Sequence, residues 1–318
     1  MKKLALYVLS AFLILGMASL GNAQDLDTVS VSDQFDSGAR GQETSGCGIN
    51  WGGACTDGSD AVTITDASGV TGSVSYVNSW AGASGAGDTT YGESPVQIID
   101  ATYVNPDRIL LDVPPITANT RPGATSATTA VTLCDDGGFN GLWWGEADDA
   151  DYYAEVDVYC EDRSSLGTGA YEATSLCIRA ASREGSWNEL TFNMELTGSY
   201  ALVYDEMLRT IEAVTWTRGT IGTAVTTRDA GSRTVHATIT DVTEGWHTFR
   251  IEAKENNIEF SVDGSLLTAI TDTTYDAGYA GMVYRESNVD DASEHPGKFD
   301  NMKSGPSTIT SVKDWSVY

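Results

Sequence analysis

The chain is poor in basic residues. Its 318 residues include 18 Lys and Arg against 45 Asp and Glu, which gives a formal charge of −27. Nucleic acid and anionic membrane surfaces repel a protein this acidic, so the charge disfavours both and no nucleic-acid partner is expected. The surplus carboxylates are compatible with two roles. They keep a protein soluble in a salty medium, or they hold divalent cations, which prefer oxygen ligands.

Long apolar runs are also missing beyond the start of the chain, so no later stretch is expected to insert into a membrane. Residues 1–23 have a basic start, an apolar centre and a small-residue end at Ala23, which predicts a cleaved secretory signal peptide. An uncleaved anchor is the alternative, although the run from Leu4 to Leu15 is short for one. Cleavage removes Lys2 and Lys3 and lowers the charge from −27 to −29. The mature protein is expected to be secreted or at the cell surface.

Only five cysteines are present, and none of their spacings is typical of a zinc site. In an exported protein they favour disulfides. Cys47 and Cys55 close the short loop CGINWGGAC and are the predicted pair. Of Cys134, Cys160 and Cys177 one must stay unpaired, and Cys160 with Cys177 is the favoured bond. It requires a bulge or register shift, because strict alternation puts these two side chains on opposite faces.

Helical periodicity is almost absent, whereas apolar and polar residues alternate in many short stretches. The clearest is GWHTFRIEAKENNIEFSVDG, residues 245–264, which predicts two half-buried strands joined by a turn at Lys254–Asn257. Asp263-Gly264 predicts a second tight turn. His247 shares the buried face with Phe249 and is expected to be a hydrogen-bonded core histidine. Strand candidates recur at a spacing of roughly 8–15 residues, which predicts an all-β, two-sheet antiparallel sandwich of the jelly-roll type.

One such sandwich is predicted over residues 24–305, with a polar tail at 306–318. A segment rich in Gly, Ser, Thr and Asp interrupts it at about residues 38–127. Loops and edge strands that decorate the sandwich are one interpretation of this insertion. A separate small domain is the other.

Six segments of the second half occur in the order found in one fold family. They are DYYAEVDVY, SLCIRA, GSYALVYD, TEGWHTFRIEAKENNIEFSVDGSLL, AGYAGMVYR and KFDNMKSG. Over about residues 128–305 the chain resembles the concanavalin-A-like, laminin-G-like jelly roll of exported bacterial proteins. The resemblance implies that Val29–Phe35 pairs with the final strand. Relatives include glycan-binding and adhesion modules, family 16 glycosidases, keto-disaccharide hydrolases and polysaccharide lyases, so the motifs specify an architecture better than a function.

Glu155 and Asp157 are weak catalytic candidates. Family 16 glycosidases carry Glu-x-Asp-x-Glu, or a version one residue longer, at such a place, but here Tyr159 replaces the second Glu. Glu161 comes too late, about 20 Å from Glu155 at about 3.3 Å per residue. A retaining pair needs about 5 Å and an inverting pair at most about 9.5 Å. Glu155 and Asp157, about 7 Å apart, could only be an inverting pair. The simpler interpretation is a solvated strand face.

Lyases of this fold use an Arg strand, a His strand and a Tyr strand. Arg183, His236 and Tyr279 or Tyr284 occur in that order, but the surrounding residues do not match the lyase motifs. A lyase is therefore the less favoured kind of enzyme.

Aromatic side chains are the predicted sugar-stacking groups, because their faces bind the apolar faces of sugar rings. The candidates are Trp143, Trp144, Trp187, Trp216 and Tyr284. Core positions explain most of them equally well, but Trp187 lies in GSWNE, which is typical of a loop. The expected function is binding of a polysaccharide or cell-surface glycan without catalysis. A carbohydrate-active enzyme and a structural envelope or matrix protein are the alternatives.

A structural Ca²⁺ ion is implied by the resemblance, because jelly rolls of this type often bind calcium where the first and last strands meet. Asp33 and Asp36 flank Phe35 near the start of the chain, and Asp300 lies in the final FDN. These three carboxylates are the predicted ligands. The sequence contains no EF-hand loop.

Overall fold

The structure, a computed structural model, consists almost entirely of β-strands. It describes residues 25–33, 60–62, 76–82, 96–100, 129–133, 138–166, 172–181, 186–188, 193–196, 198–216, 219–221, 233–286 and 297–310. The strands of the first half are β1 (Val31–Asp33), β2 (Asp60–Val62), β3 (Tyr76–Gly82), β4 (Val96–Asp100), β5 (Thr129–Leu133), β6 (Gly138–Trp144), β7 (Tyr152–Cys160), β8 (Glu172–Ala180) and β9 (Ser186–Asn188). Those of the second half are β10 (Asn193–Leu196), β11 (Ser199–Asp205), β12 (Thr210–Trp216), β13 (Gly219–Ile221), β14 (Arg233–Ile239), β15 (Gly245–Lys254), β16 (Asn257–Val262), β17 (Ser265–Thr271), β18 (Tyr279–Glu286) and β19 (Gly297–Pro306). In these ranges the one helical turn is Ser164–Leu166, and no helix is long and apolar enough to cross a membrane.

Two eight-stranded antiparallel sheets make up the sandwich. Sheet A has the order β17-β16-β15-β7-β19-β5-β4, with β1 also paired to β19, and sheet B has the order β14-β12-β11-β8-β18-β6-β3-β2. A smaller sheet has the order β13-β10-β9. Its β10–β13 pair extends the β11–β12 pair along the same two chain segments, because the pair Leu196–Gly219 follows the pair Ser199–Trp216. The antiparallel sandwich predicted from the sequence is confirmed.

The core follows from the alternation seen in the sequence. Tyr152, Ala154, Val156 and Val158 of β7 are fully buried, while Tyr153 between them is partly exposed. Neighbouring strands of both sheets also bury hydrophobic side chains at every second position, and these side chains pack together between the sheets. The core therefore lies between sheets A and B and leaves the opposite face of β7 to polar side chains.

The turns of the β15–β16–β17 meander are as tight as predicted. Asp263 and Gly264 take φ values of 51° and 73°, which a hairpin of the primed type requires and Gly adopts without strain. Between β15 and β16 the turn is Glu255-Asn256, and Glu255 takes the positive φ of 51°. His247 is hydrogen-bonded as expected, with Nδ1 2.8 Å from Asp263 Oδ2. It lies at the partly exposed end of the sandwich rather than in the core.

Strands from the predicted insertion join both sheets. In sheet B β3 pairs with β6, and in sheet A β4 pairs with β5. The expected partnership of the first and last strands is confirmed, since Val31 pairs with Ser304 and Asp33 with Met302. These pairings bring the first and last described strands together in the middle of sheet A.

The two described cysteines lie on different sides of sheet B. Cys160 belongs to the core between the sheets and is a free thiol, whereas Cys177 belongs to a second cluster on the far face of sheet B. The sheet itself separates them, so the favoured Cys160–Cys177 bond is wrong. Cys47, Cys55 and Cys134 lie outside the described residues.

Arg179, the arginine of SLCIRA, holds one end of the sandwich together. It is 1% exposed and sits at a bulge of β8 with a φ of 48°. Its Nε and Nη2 donate to Ala150 O at 2.9 and 2.6 Å. Nη1 donates to Tyr275 O at 3.1 Å, and Nη2 also donates to Glu255 O at 2.7 Å. One buried guanidinium thus ties together three chain segments that are distant in sequence.

Candidate functional site

The aromatic residues predicted to stack on sugars are mostly internal. Trp143, Trp144, Trp216 and Tyr284 are 1, 1, 4 and 0% exposed. Trp144 and Tyr284 lie between the sheets, and the other two belong to the cluster on the far face of sheet B. Rings with so little free area cannot stack on a sugar, which corrects the prediction for these four. Trp187 belongs to strand β9 rather than to the expected loop, and its side chain lies outside the described residues.

A row of paired charges crosses the outer face of sheet A. Lys303 Nζ lies 2.9 Å from Glu155 Oε1, and Glu155 Oε2 lies 3.2 Å from Arg250 Nη1. Arg250 Nη2 then lies 2.7 Å from Glu252 Oε2. We call Lys303, Glu155, Arg250 and Glu252 the charge ladder. The guanidinium of Arg250 also lies over the ring of Tyr153, 3.8 Å from its centroid. Because Glu155 is shared by two cations, it links strands and is not a free acid.

Asp157, the second catalytic candidate, is buried beside the charge ladder and is 4% exposed. Its Oδ1 accepts a hydrogen bond of 2.6 Å from Thr248 Oγ1, and its Oδ2 accepts one of 2.8 Å from Asn301 Nδ2. Burial raises the pKa of Asp157, and these two hydrogen bonds oppose the shift. A raised pKa suits a general acid, but a carboxyl covered in this way offers a substrate no surface to contact.

The predicted calcium ligand Asp300 lies opposite Asp157 in the β7–β19 pair and is fully buried. Its Oδ1 accepts a hydrogen bond of 2.6 Å from the backbone N–H of Asn301. Asn301 has a φ of 48°, at the point where the register of the two strands shifts. The structure thus places two buried carboxylates side by side on neighbouring strands.

Of the other two predicted metal ligands, Asp33 belongs to a described strand, and its register places it opposite Met302 rather than Asp300. Asp33 pairs with Met302, whose side chain lies in the core, whereas Asp300 lies on the outer face of sheet A beside Asp157. Asp36 lies outside the described residues. Over the described part of the chain, no group of three or more His, Cys, Asp or Glu could hold a metal ion.

Glu252 ends the charge ladder and fixes the segment that follows β19. Its Oε1 accepts hydrogen bonds from Ser307 Oγ at 3.0 Å, from Thr308 Oγ1 at 2.9 Å and from Ile309 N at 2.9 Å, as well as from Thr308 N. Burial raises the pKa of Glu252, but the hydrogen bonds from Arg250 and Thr308 outweigh burial and hold the pKa below its usual range. We call residues 307–310 the strap. An ionised Glu252 holds this strap across the outer face of sheet A.

The strap and strands β16 and β17 enclose an open cleft of about 440 Å³. Its lining residues are Glu252, Asn257, Glu259, Ala269, Ile270, Thr271, Thr308, Ile309 and Thr310. Asn257 pairs with Thr271, and Glu259 pairs with Ala269 on one side and with Glu252 on the other. The described lining therefore offers two carboxylates, an amide and three hydroxyls, and no Lys, Arg or His is among its residues.

Sequence reasoning missed this cleft for a definite reason. Alternation does place Glu252 and Glu259 on the outer face of sheet A, and that signal was available. The opposite wall is the strap, whose residues follow no periodic pattern and were predicted to be tail. Only the hydrogen bonds to Glu252 reveal that this segment folds back.

Lyase-type residues do not converge in the described part of the chain. His236 Nε2 lies 2.8 Å from Thr215 Oγ1, and its ring stacks on Phe260 at 6.4 Å between centroids. Tyr284 is buried in the core, and Arg183 lies outside the described residues. His236 is thus occupied by contacts at the edge of the sandwich.

Neither a protein-family model nor a curated protein matches the chain. Among solved structures, it is similar to a carbohydrate-binding module, CBM66, from Bacillus subtilis, with 15% identity, a TM-score of 0.35 and coverage of 59% of this chain and 92% of that chain. It is similar to a glycoside hydrolase family 16 endo-glucanase from Bacteroides ovatus, with 10% identity, a TM-score of 0.35 and coverage of 57% and 83%. It is also similar to the Ca²⁺-bound exoplasmic/lumenal domain of VIP36, with 10% identity, a TM-score of 0.42 and coverage of 59% and 82%. At these values the likeness concerns the fold alone, and function must be inferred from the chain's own residues.

Proposed function

We propose that this is an exported glycan-binding protein without catalytic activity. The observation that carries the proposal is the open cleft of about 440 Å³ between the strap and strands β16 and β17. Sugar hydroxyls need convergent donors and acceptors, and Asn257, Thr271 and Glu259 provide them from adjacent strands. Side chains mounted on paired strands are held in fixed positions, which favours recognition of a defined ligand.

The absence of catalysis is inferred from how the carboxylates of the cleft are occupied. Glu252 and Glu259 lie directly opposite each other, so their Cβ atoms have the cross-strand separation of about 4.5–5.5 Å. A retaining glycosidase needs its carboxyl groups about 5 Å apart, and this spacing makes a glycosidase the second candidate. However, both oxygens of Glu252 are engaged, Oε1 by the strap and Oε2 by Arg250. These contacts hold Glu252 as a structural partner of the strap and of Arg250, which argues against a role as nucleophile.

A glycan array followed by product analysis on each ligand tests this proposal. We expect binding to a subset of glycans without release of reducing ends. Thr271→Ala should weaken binding about fivefold to tenfold, since a lost hydrogen bond costs about 1–1.4 kcal/mol. Thr238→Ala is the matched control, because it removes an exposed hydroxyl from an edge strand of the other sheet. Binding to no glycan would overturn the proposal, and product release that Glu259→Gln abolishes would establish a hydrolase instead.

Export is part of the same proposal and rests on the leader at residues 1–23. Mature protein recovered from the producing cell should begin near Gln24. N-terminal sequencing that finds Met1 in secreted material would contradict it.

We further propose a structural Ca²⁺ ion where β19 meets β7. Asp157 and Asp300 are buried next to each other, and a cation bound between them would lower the repulsion between neighbouring carboxylates. Ca²⁺ takes six to eight oxygens, so backbone carbonyls or water would have to complete a set begun by these two carboxylates and the Asn301 amide oxygen. Such an ion would stabilise the folded state by about 2.7 kcal/mol at a hundredfold excess over its Kd.

Melting curves in chelator and in excess calcium test this ion. Chelator should lower the Tm of the wild type, and Asp300→Ala should remove most of that difference. Asp276→Ala, an exposed carboxylate elsewhere, is the control and should keep it. Identical wild-type curves in chelator and calcium would refute the site.

A further inference from the structure

We infer that the cleft selects glycans bearing protonated amino groups over neutral N-acetylated and anionic glycans. The inference rests on the proposed glycan-binding function and names the charge that the ligand carries. The observation behind it is Glu259, the one carboxylate of the cleft that forms no ion pair with any described residue.

The charge ladder is balanced within itself. Lys303 and Arg250 contribute two positive charges, and Glu155 and Glu252 contribute two negative charges, all joined at 2.7–3.2 Å. Glu259 lies next in the row, across the strand pair from Glu252, and it is only partly buried. No Lys, Arg or His of the described residues forms an ion pair with Glu259. Within the described residues, the cleft therefore carries one negative charge that no ion pair balances.

The position of Glu259 favours a bound cation. Like charges placed directly across a strand pair destabilise each other, and Glu252 and Glu259 form such a pair. An ammonium group between them would relieve this repulsion. It would also donate charge-assisted hydrogen bonds, which are roughly twice as strong as bonds between neutral groups. Asn257 and Thr271, one pair further along the strands, are placed to contact the hydroxyls that flank the amine.

The same cleft disfavours anionic glycans. A uronate or sulfate needs a cationic or strongly donating partner, and none of the lining residues that the structure describes is Lys, Arg or His. The whole chain adds a formal charge of −27, which repels an anionic polymer before it arrives. Discrimination thus comes from attraction of the amine and from rejection of the acid together.

Titration calorimetry with oligosaccharides of equal length tests the inference. The ligands are a fully deacetylated glucosamine oligomer, its N-acetylated counterpart and a uronate oligomer, in buffer with chelator at a pH below the pKa of the amine. We expect the amine to bind about tenfold more tightly than the N-acetylated ligand, and the uronate not to bind. Added salt should shrink the preference, because the cleft is open to solvent.

Glu259→Gln should bring the affinity for the amine down to that for the N-acetylated ligand. Asp276→Asn removes the same charge from an exposed position outside the cleft and should leave the preference intact. Equal binding of amine and N-acetylated ligands, or tighter binding of the uronate, would overturn the inference while leaving glycan binding in place. Failure of all three ligands, together with an empty glycan array, would instead remove the proposed function.

Discussion

Arg179→Met is expected to be among the most destabilising substitutions of a buried polar side chain in this protein. The guanidinium donates to three backbone carbonyls, those of Ala150, Tyr275 and Glu255, and the side chain is 1% exposed. Met fills similar volume but donates nothing, so three backbone carbonyls lose the hydrogen bonds that Arg179 donates to them. At about 1–2 kcal/mol for each hydrogen bond lost, the free energy of unfolding should fall by about 3–6 kcal/mol. A domain stabilised by about 5–15 kcal/mol would lose a large share of that margin.

Urea unfolding followed by circular dichroism measures this change, with an unchanged m-value showing that the unfolded state is the same. Arg179→Lys tests whether the forked guanidinium matters, because a single ammonium cannot reach all three carbonyls. It should cost at least about 2 kcal/mol. Arg233→Met is the control, since Arg233 forms a more exposed pair with Glu212 at 2.8 Å and should cost at most about 1 kcal/mol. A loss below about 1 kcal/mol for Arg179→Met would refute the argument.

Three further substitutions test other contacts. The hydrogen bond to Asp263 raises the pKa of His247, so the stabilisation is complete below the unfolded pKa of about 6.5 and is lost as pH rises through the higher folded pKa. His247→Gln should therefore cost up to about 1 kcal/mol at acid pH and less at alkaline pH, and an equal cost in urea titrations at both would contradict this. Gly281→Ala would place a methyl group against the ring of Trp143. It should lower the free energy of unfolding by about 1–3 kcal/mol, measured by calorimetry, and an unchanged Tm would contradict this packing. Glu155→Gln should cost about 1 kcal/mol or less while glycan affinity stays the same, and a loss of affinity or activity would give Glu155 the role that its ion pairs deny it.

Alternation was sufficient to predict where most of the strands lie, because a half-buried strand must place apolar residues at every second position. Phe249 and Ile251 of β15, and Ile258 and Phe260 of β16, lie where this pattern puts them. The same pattern cannot tell whether the opposite face of a sheet meets solvent. Trp143 is on the far face of sheet B and is nevertheless buried. Periodicity therefore predicted the sheets better than it predicted which aromatic rings are accessible.

The candidate site was less predictable because its key contacts connect segments that are distant in sequence. Glu252 contacts the strap at a sequence separation of more than fifty residues, and the local sequence at Thr308 and Ile309 does not predict this contact. The bulge at Asn301 likewise depends on how β19 meets β7. The family resemblance pointed to Asp300 at the seam, but only the register shows that its neighbour there is Asp157 rather than Asp33.

The position of β19 has a consequence for the order of events during synthesis. This strand is the last of those described, yet it lies inside sheet A, between β7 on one side and β5 with β1 on the other. At about 5–20 residues per second, a ribosome needs roughly seven to thirty seconds to pass from Cys160 to Gly297. During that interval one edge of β7 has no strand to pair with, and sheet A cannot be completed. A nascent chain held open in this way can still pass through an export channel, as the export proposed from residues 1–23 requires.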